Sequence, residues 1–362
     1  MQMRTQNKLL VYVLVILIAI PFSFACAWGA EAQKIKISLC HIYVPGQFQH
    51  EIQFPRYFKM VEEETKGKYI LDVKLYPAGT LLGGVEMYDG VVKGLVDIGV
   101  SVFAFTPGRF PVMVTLSQPG IAPPRNCNAA AHTAWEFYNK FKPKELDNTK
   151  LLYVYGVGNG WIHSKKPIRS VEDIKGLKTR GTGAMVPGIK ALGGEAIGLP
   201  STEVFLAAQR GVIEAAVFPL QPLEEYKLHE VFDYSTFIPG ISSEFKFVAM
   251  NLEKWKSLPK DLQSAFDAVT EKALDEAGRI WQYYQTDHMI ELIKTFPGGH
   301  QLLYLPDSEV AKVKELLKPV RSSYIATLKA KGLPGEEIVS EAARIMEKYN
   351  ERKYEPWKPP GK

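Results

Sequence analysis

EMYDGVVKGLVDIGV, Glu86 to Val100, and EVFLAAQRGVIEAAV, Glu203 to Val217, follow one pattern. In each, an aromatic (Tyr88, Phe205) lies two positions after the opening glutamate. A basic residue (Lys93, Arg210) then precedes a glycine (Gly94, Gly211). Two aliphatics, an acid (Asp97, Glu214) and a small, apolar run complete the segment. Each copy reads as a helix stopped by a glycine C-cap and followed by a short buried strand. Two copies predict two similar α/β lobes, with a cleft between them that closes on a small ligand.

The bulk properties agree. A chain of 362 residues fits two lobes, and 46% hydrophobic residues supply real cores. The net charge of +5 is small, and its basic residues are interspersed with acids. That distribution argues against a nucleic-acid partner. Arg4 and Lys8 precede the apolar run LLVYVLVILIAIPFSFACAW, which ends at Trp28. With Pro21 and small residues behind it, this reads as a secretory signal over 1–32, cleaved after Ala27 or Ala32. The alternatives are an uncleaved anchor and, at Cys26, a lipoprotein site whose upstream residues do not fit. After cleavage Cys40 and Cys127 remain. Whether they pair as a disulfide is open, because spacing does not give their separation in space.

Lobe one is expected over 33–153 and is completed by about 246–270, where SEFKFVAMN reads as a buried strand returning to it. Lobe two is expected over 154–245. From Pro259 to about Thr295, Leu262, Phe266, Val269, Ala273, Ala277, Ile280, Trp281 and Tyr284 recur at helical spacing. A helix of that length, roughly 50 Å at 1.5 Å per residue, would lie across both lobes. Further C-terminal helices to about 350 are expected to pack across the lobes, with a mobile tail over 351–362.

Motifs for chemistry are scarce. The seven histidines include no pair four apart, and there is no CxxC or GxSxG. GVGNGW and GTGAMVPG start like dinucleotide fingerprints, but Trp161 and Val186 stand where the last glycine belongs. Both read as turns beside strand ends. Arg180, in IKGLKTRGTG, differs from its exposed basic neighbours. It closes a short strand, at the carboxyl edge where α/β sheets hold ligands. Its planar fork can grip a carboxylate through two parallel hydrogen bonds.

Three segments carry a resemblance. SVEDIKGLKTRGTGAMVPGIKALGGEAIGLPSTEVFLAAQRGVIEAA, LDVKLYPAGTLLGGVEMYDGVVKGLVDIGV and MNLEKWKSLPKDLQSAF resemble the solute-binding proteins of tripartite ATP-independent periplasmic (TRAP) transporters, of the C4-dicarboxylate-binding-protein type. The resemblance implies a two-lobed periplasmic binding protein fold with crossing hinge strands and a long helix spanning both lobes. It implies a periplasmic monomer that takes up a small organic acid and hands it to small and large TRAP permease subunits. No catalysis and no cofactor are implied. Arg180 matches the family's ligand-carboxylate arginine.

The departures set the expected ligand. Phe218 keeps the aromatic of the branch that binds 2-oxo acids, but Val217 stands where that branch has a metal-binding glutamate, so no metal is expected. Gly160 stands where many members carry a second arginine, which disfavours dicarboxylates. The expected cargo is a monocarboxylate: a 2-oxo, 2-hydroxy or aromatic acid. Asn159 and Trp161 are candidate cleft residues, with ordinary packing as the alternative for Trp161. His41 and Tyr43 are weaker candidates from lobe one. Arg109, in a loop, could supply a second cation. The rival readings are an exported enzyme acting on a small organic acid and the binding protein of an ABC importer.

Overall fold

A computed structural model describes residues 32–359 except Pro107 and Asn159. The export signal read over 1–32 therefore lies outside the described residues, save its last position. Among the described residues, no helix is long and apolar enough to cross a membrane.

Among the described residues, eleven strands form two sheets. They are β1 (Gln33–His41), β2 (Tyr69–Tyr76), β3 (Ile98–Val102), β4 (Thr149–Gly156), β5 (Trp161–Ser164), β6 (Lys178–Arg180), β7 (Glu195–Ile197), β8 (Ala215–Phe218), β9 (Tyr234–Phe237), β10 (Phe245–Asn251) and β11 (Gln301–Tyr304). The first sheet has the order β2-β1-β3-β10-β4, and the second β11-β9-β5-β8-β6-β7. In the first, β1 is parallel to β2 and β3, and β10 runs antiparallel between β3 and β4. In the second, β6 is parallel to β7 and β8, and β5 runs antiparallel between β8 and β9. Read from β7 to β9, the second sheet thus repeats the plan of the first, with β11 added at its edge.

The repeated sequence pattern explains this symmetry. Its two copies end in β3 and β8, which hold equivalent places. Gly94 and Gly211 adopt φ of 72° and 74°. Behind them the amides of Leu95 and Val212 reach back to the carbonyls of Gly90 and Ala207, both at 2.9 Å. This left-handed turn satisfies the free carbonyls of a helix end and suits glycine because it has no Cβ.

Each antiparallel strand directly follows a crossing between the lobes. β4 leads through 157–160 into β5, and β9 leads through 238–244 into β10. The two crossings are bonded together: Val157 N donates to Glu244 O and Gly160 N to Ser242 O, both at 2.9 Å. The first crossing falls slightly after the 153/154 boundary read from sequence, because Tyr155 and Gly156 still pair with β10.

The expected long helix is a helical path in several pieces: Lys260–Ala268, Thr270–Gln282, a π turn at Tyr283–Asp287, and His288–Ile293. Leu262, Phe266, Ala273, Ile280 and Trp281 pack in a lobe-one core, while Met289 and Ile293 pack in a lobe-two core. A second helix, Asp307–Ala330, also spans the lobes: Val313 and Leu317 enter a lobe-two core, and Leu328 a lobe-one core. The last helix, Gly335–Asn350, packs on lobe one alone, through Ile338, Ala342 and Ile345.

Two expectations change. The tail is not loose through Trp357, which is 7% exposed and lies 5.4 Å from the ring of Tyr283. Tyr354 stacks on His132 at 5.7 Å. Burial of these rings anchors a segment that composition alone marks as mobile. The disulfide question closes as well: Cys40 and Cys127 are buried and free.

The glycine caps give a direct test. Gly94→Ala and Gly211→Ala should each lower stability by about 1 kcal/mol, since an alanine in the left-handed region is strained. Denaturant unfolding measures this, and unchanged midpoints for both would contradict the shared cap.

Candidate functional site

Arg180 is the last residue of β6 and is only 4% exposed. Its Nε donates to Leu199 O at 3.1 Å, Nη1 to Val217 O at 3.4 Å and Nη2 to Ser201 Oγ at 3.4 Å. The guanidinium lies 4.0 Å from the centre of the Phe218 ring. Among the described residues it forms no ion pair; its acceptors are neutral. Burial pushes its pKa down to about 10, with the charge of Glu244 acting the other way, so it stays cationic at neutral pH. A buried cation held in place by carbonyls and an aromatic face is prepared for an anion, because a partner charge recovers the desolvation cost.

Arg180 lines a cleft of about 440 Å³ between the lobes. Ile42, Val85, Ala104 and Phe105 form the lobe-one wall, and Thr182, Leu199, Pro200 and Ser201 face them from lobe two. Arg180 is the only charged residue among the described residues lining it. The lobes approach closely at Gly183, whose φ is 54°; a Cβ there would lie 2.9 Å from Ala104 O. A narrower recess continues from the same residues to Ser117, Ser242, Ser243 and Glu244.

The other sequence candidates sit around this cleft rather than on its lining. Phe218 is the platform beneath Arg180. Trp161 pairs with Phe218 and Phe237 across β5, and its ring lies 5.2 Å from Phe237 and 5.5 Å from Tyr304, in the lobe-two core. It is packing there and does not line the cleft. His41 and Tyr43 are buried behind the lobe-one wall. His41 Nε2 lies 3.0 Å from His50 Nδ1, and the Tyr43 and Tyr155 hydroxyls are 3.0 Å apart. Ile42, between them, lines the cleft, as alternation of side chains requires. Asn159 lies outside the described residues.

Arg109 does not reach across. It pairs with Asp89 at 3.0 Å and lies 4.9 Å from the Tyr88 ring. Gly160 sits in the paired crossings, where a Cβ would meet Ser242 Oγ unless that hydroxyl turned aside. The Val217 side chain is buried in a lobe-two core.

One serine stands between two histidines. Ser235 Oγ lies 2.6 Å from His163 Nδ1 and 2.7 Å from His300 Nε2. Ser235 and His163 are fully buried, and the other nitrogen of each histidine meets a backbone carbonyl, Pro219 O and Phe232 O. These contacts tie β5, β9 and the start of β11 together within lobe two.

Sequence reasoning missed a buried ion pair at the hinge. Lys246, 2% exposed, donates to Glu244 at 2.9 Å, and its ammonium lies 4.9 Å from the Trp281 ring. The available signal was two charges, two positions apart, in the otherwise apolar strand SEFKFVAMN. Across the cleft mouth, the Glu225 carboxyl accepts from Gln221 and bonds Gln47 of lobe one, and burial pushes its pKa up to about 7.

Comparison with known proteins gives a consistent picture. The monocarboxylate 2-oxoacid-binding periplasmic protein of Nostoc sp. is 30% identical over 235 residues, 59% of this chain and 60% of that protein. The match thus spans about three-fifths of that relative's length. A TRAP solute-binding protein from Rhodoferax ferrireducens, solved with copurified benzoate, superposes with a TM-score of 0.78 at 23% identity, over 87% of this chain and 98% of that one. A TRAP periplasmic solute-binding protein from Bordetella bronchiseptica, solved with (R)- and (S)-mandelate, gives 0.76 at 23% identity, over 87% and 99%. At such identities these structures establish the fold. The DctP family model, described as bacterial extracellular solute-binding protein, family 7, matches residues 41–327. That match covers most of the sequence and both lobes, and the chain belongs to this family.

Proposed function

We propose that this protein is the periplasmic receptor of a TRAP transporter and that it captures a monocarboxylate in the interlobe cleft, with the carboxylate on Arg180. The observation that carries the reading is the buried, unpaired Arg180 guanidinium, the only charge among the described residues lining an otherwise largely apolar cleft. One cation satisfies one carboxylate. A second carboxylate buried there would keep its desolvation cost without a partner. Ile42, Val85, Phe105 and Leu199 reward an apolar or aromatic ligand body at roughly 25 cal/mol per Å² buried. The name of the Nostoc relative and the benzoate and mandelate of the two structural neighbours point to the same class of acid.

Capture follows from the fold. The paired crossings let the lobes rock as units, and a ligand that bridges both walls stabilises the closed form. The closed receptor is then presented to the small and large permease subunits. The ligand leaves chemically unchanged, in keeping with a family of solute-binding proteins and not of enzymes.

Three measurements bear on this reading. Arg180→Ala should weaken binding of the copurified acid by a few kcal/mol, the scale of a charge-assisted pair lost from a buried site. Arg180→Lys should also weaken it, since an ammonium lacks the fork. Calorimetry that found either variant as tight as the parent would refute the anchor. Across matched acids, 2-oxo, 2-hydroxy or aromatic monocarboxylates should outbind succinate and malate; succinate binding as well as every monocarboxylate tried would overturn the specificity. Affinity should survive EDTA, because Val217 offers no side-chain oxygen.

A further inference from the structure

The recess beyond the cleft ends on charge. Glu244 lines it together with Ser242 and Ser243, and its side chain is 26% exposed. It stands on the second hinge crossing, where its carbonyl accepts from Val157 of the first. Its carboxylate holds Lys246, which is otherwise enclosed under Trp281. It also acts through its charge on Arg180 and Tyr226 in lobe two and on Tyr43 and Tyr155 in lobe one. Burial works to raise the Glu244 carboxyl, but Lys246 and Arg180 together hold it below the ordinary glutamate value, so it is an anion at neutral pH.

Arg180 lines the cleft and Glu244 the recess, while Lys246 is buried behind Glu244 and lines neither. These three groups sum to one positive charge, and Arg180 is the cation left without an ion-pair partner among the described residues. A monocarboxylate on Arg180 brings the group to neutrality. A dicarboxylate would bring its second charge toward Glu244, in a region where screening by water is weak. Glu225 gives no relief, since any ionisation of its carboxyl adds negative charge.

Resting on the reading of the cleft as an anion receptor, we infer that Glu244 is the residue that limits the ligand to one carboxylate, by neutralising the buried Lys246 and repelling a second negative charge.

The test is calorimetry of the mature protein with mandelate, phenylacetate and pyruvate as monoanions, and succinate and phenylsuccinate as dianions. Wild type should prefer the monoanions. Glu244→Gln keeps the shape but frees the Lys246 charge, and should shift the ratio of monoanion to dianion affinity toward dianions by about tenfold or more. Glu244→Asp keeps the charge and should keep the wild-type preference. Circular dichroism checks that each variant folds. Should Glu244→Gln not fold, Lys246→Met serves instead: it removes a cation and leaves the fixed anion, and should weaken monoanion binding about fivefold or more. Monoanion binding with an unchanged ratio in Glu244→Gln, or unchanged affinity in Lys246→Met, overturns the role of Glu244 and leaves the receptor reading standing. If wild type binds none of the three monoanions, the receptor reading fails, and this inference falls with it.

Discussion

Two backbone hydrogen bonds, Val157 to Glu244 and Gly160 to Ser242, hold the chain's two passages between lobes side by side. The rest of the molecule is arranged around that contact. Each passage delivers the antiparallel strand of the sheet it enters, β5 in one lobe and β10 in the other, so the first sheet is completed only after the chain has run through lobe two. The crossings must also pack closely. Gly160 lies close against Ser242, whose hydroxyl would have to turn aside for any side chain there.

That charge is sparse and deliberately placed. Arg180 is desolvated, supported by three neutral acceptors and set over Phe218. Such a group is costly until an anion arrives, and ordered before it does. Lys246 is equally buried but already paired with Glu244. In the proposed receptor, the difference between these two cations, one available and one occupied, acts together with the apolar walls of Ile42, Val85, Phe105 and Leu199 to favour singly charged acids.

Much of this could be read in the sequence. The glycine-capped repeat gave away the two-lobed plan because both copies obey the same local rule: a left-handed turn needs glycine. The place of Arg180 was legible because it closes a short strand and precedes Gly181 at the carboxyl edge of the sheet. The lining of lobe one was not. His41 and Tyr43 are the chemically expressive residues there, yet alternation turns Ile42 to the cleft. Trp161 drew notice for its size and proves to be packing. Glu244 and Lys246 were hidden in an apolar strand, since their role depends on neighbours from both lobes and not on local spacing. Trp357 anchors a tail whose prolines and glycine suggest freedom, because burial against Tyr283 and Tyr284 is a tertiary effect.

The most direct measurement is a crystal structure of the protein with a bound monocarboxylate, such as mandelate. The account predicts closed lobes and a single carboxylate held by both terminal nitrogens of Arg180, with the ligand body against Ile42 and Phe105. A ligand whose carboxylate is paired elsewhere, with Arg180 still bonded only to Leu199, Val217 and Ser201, would contradict it.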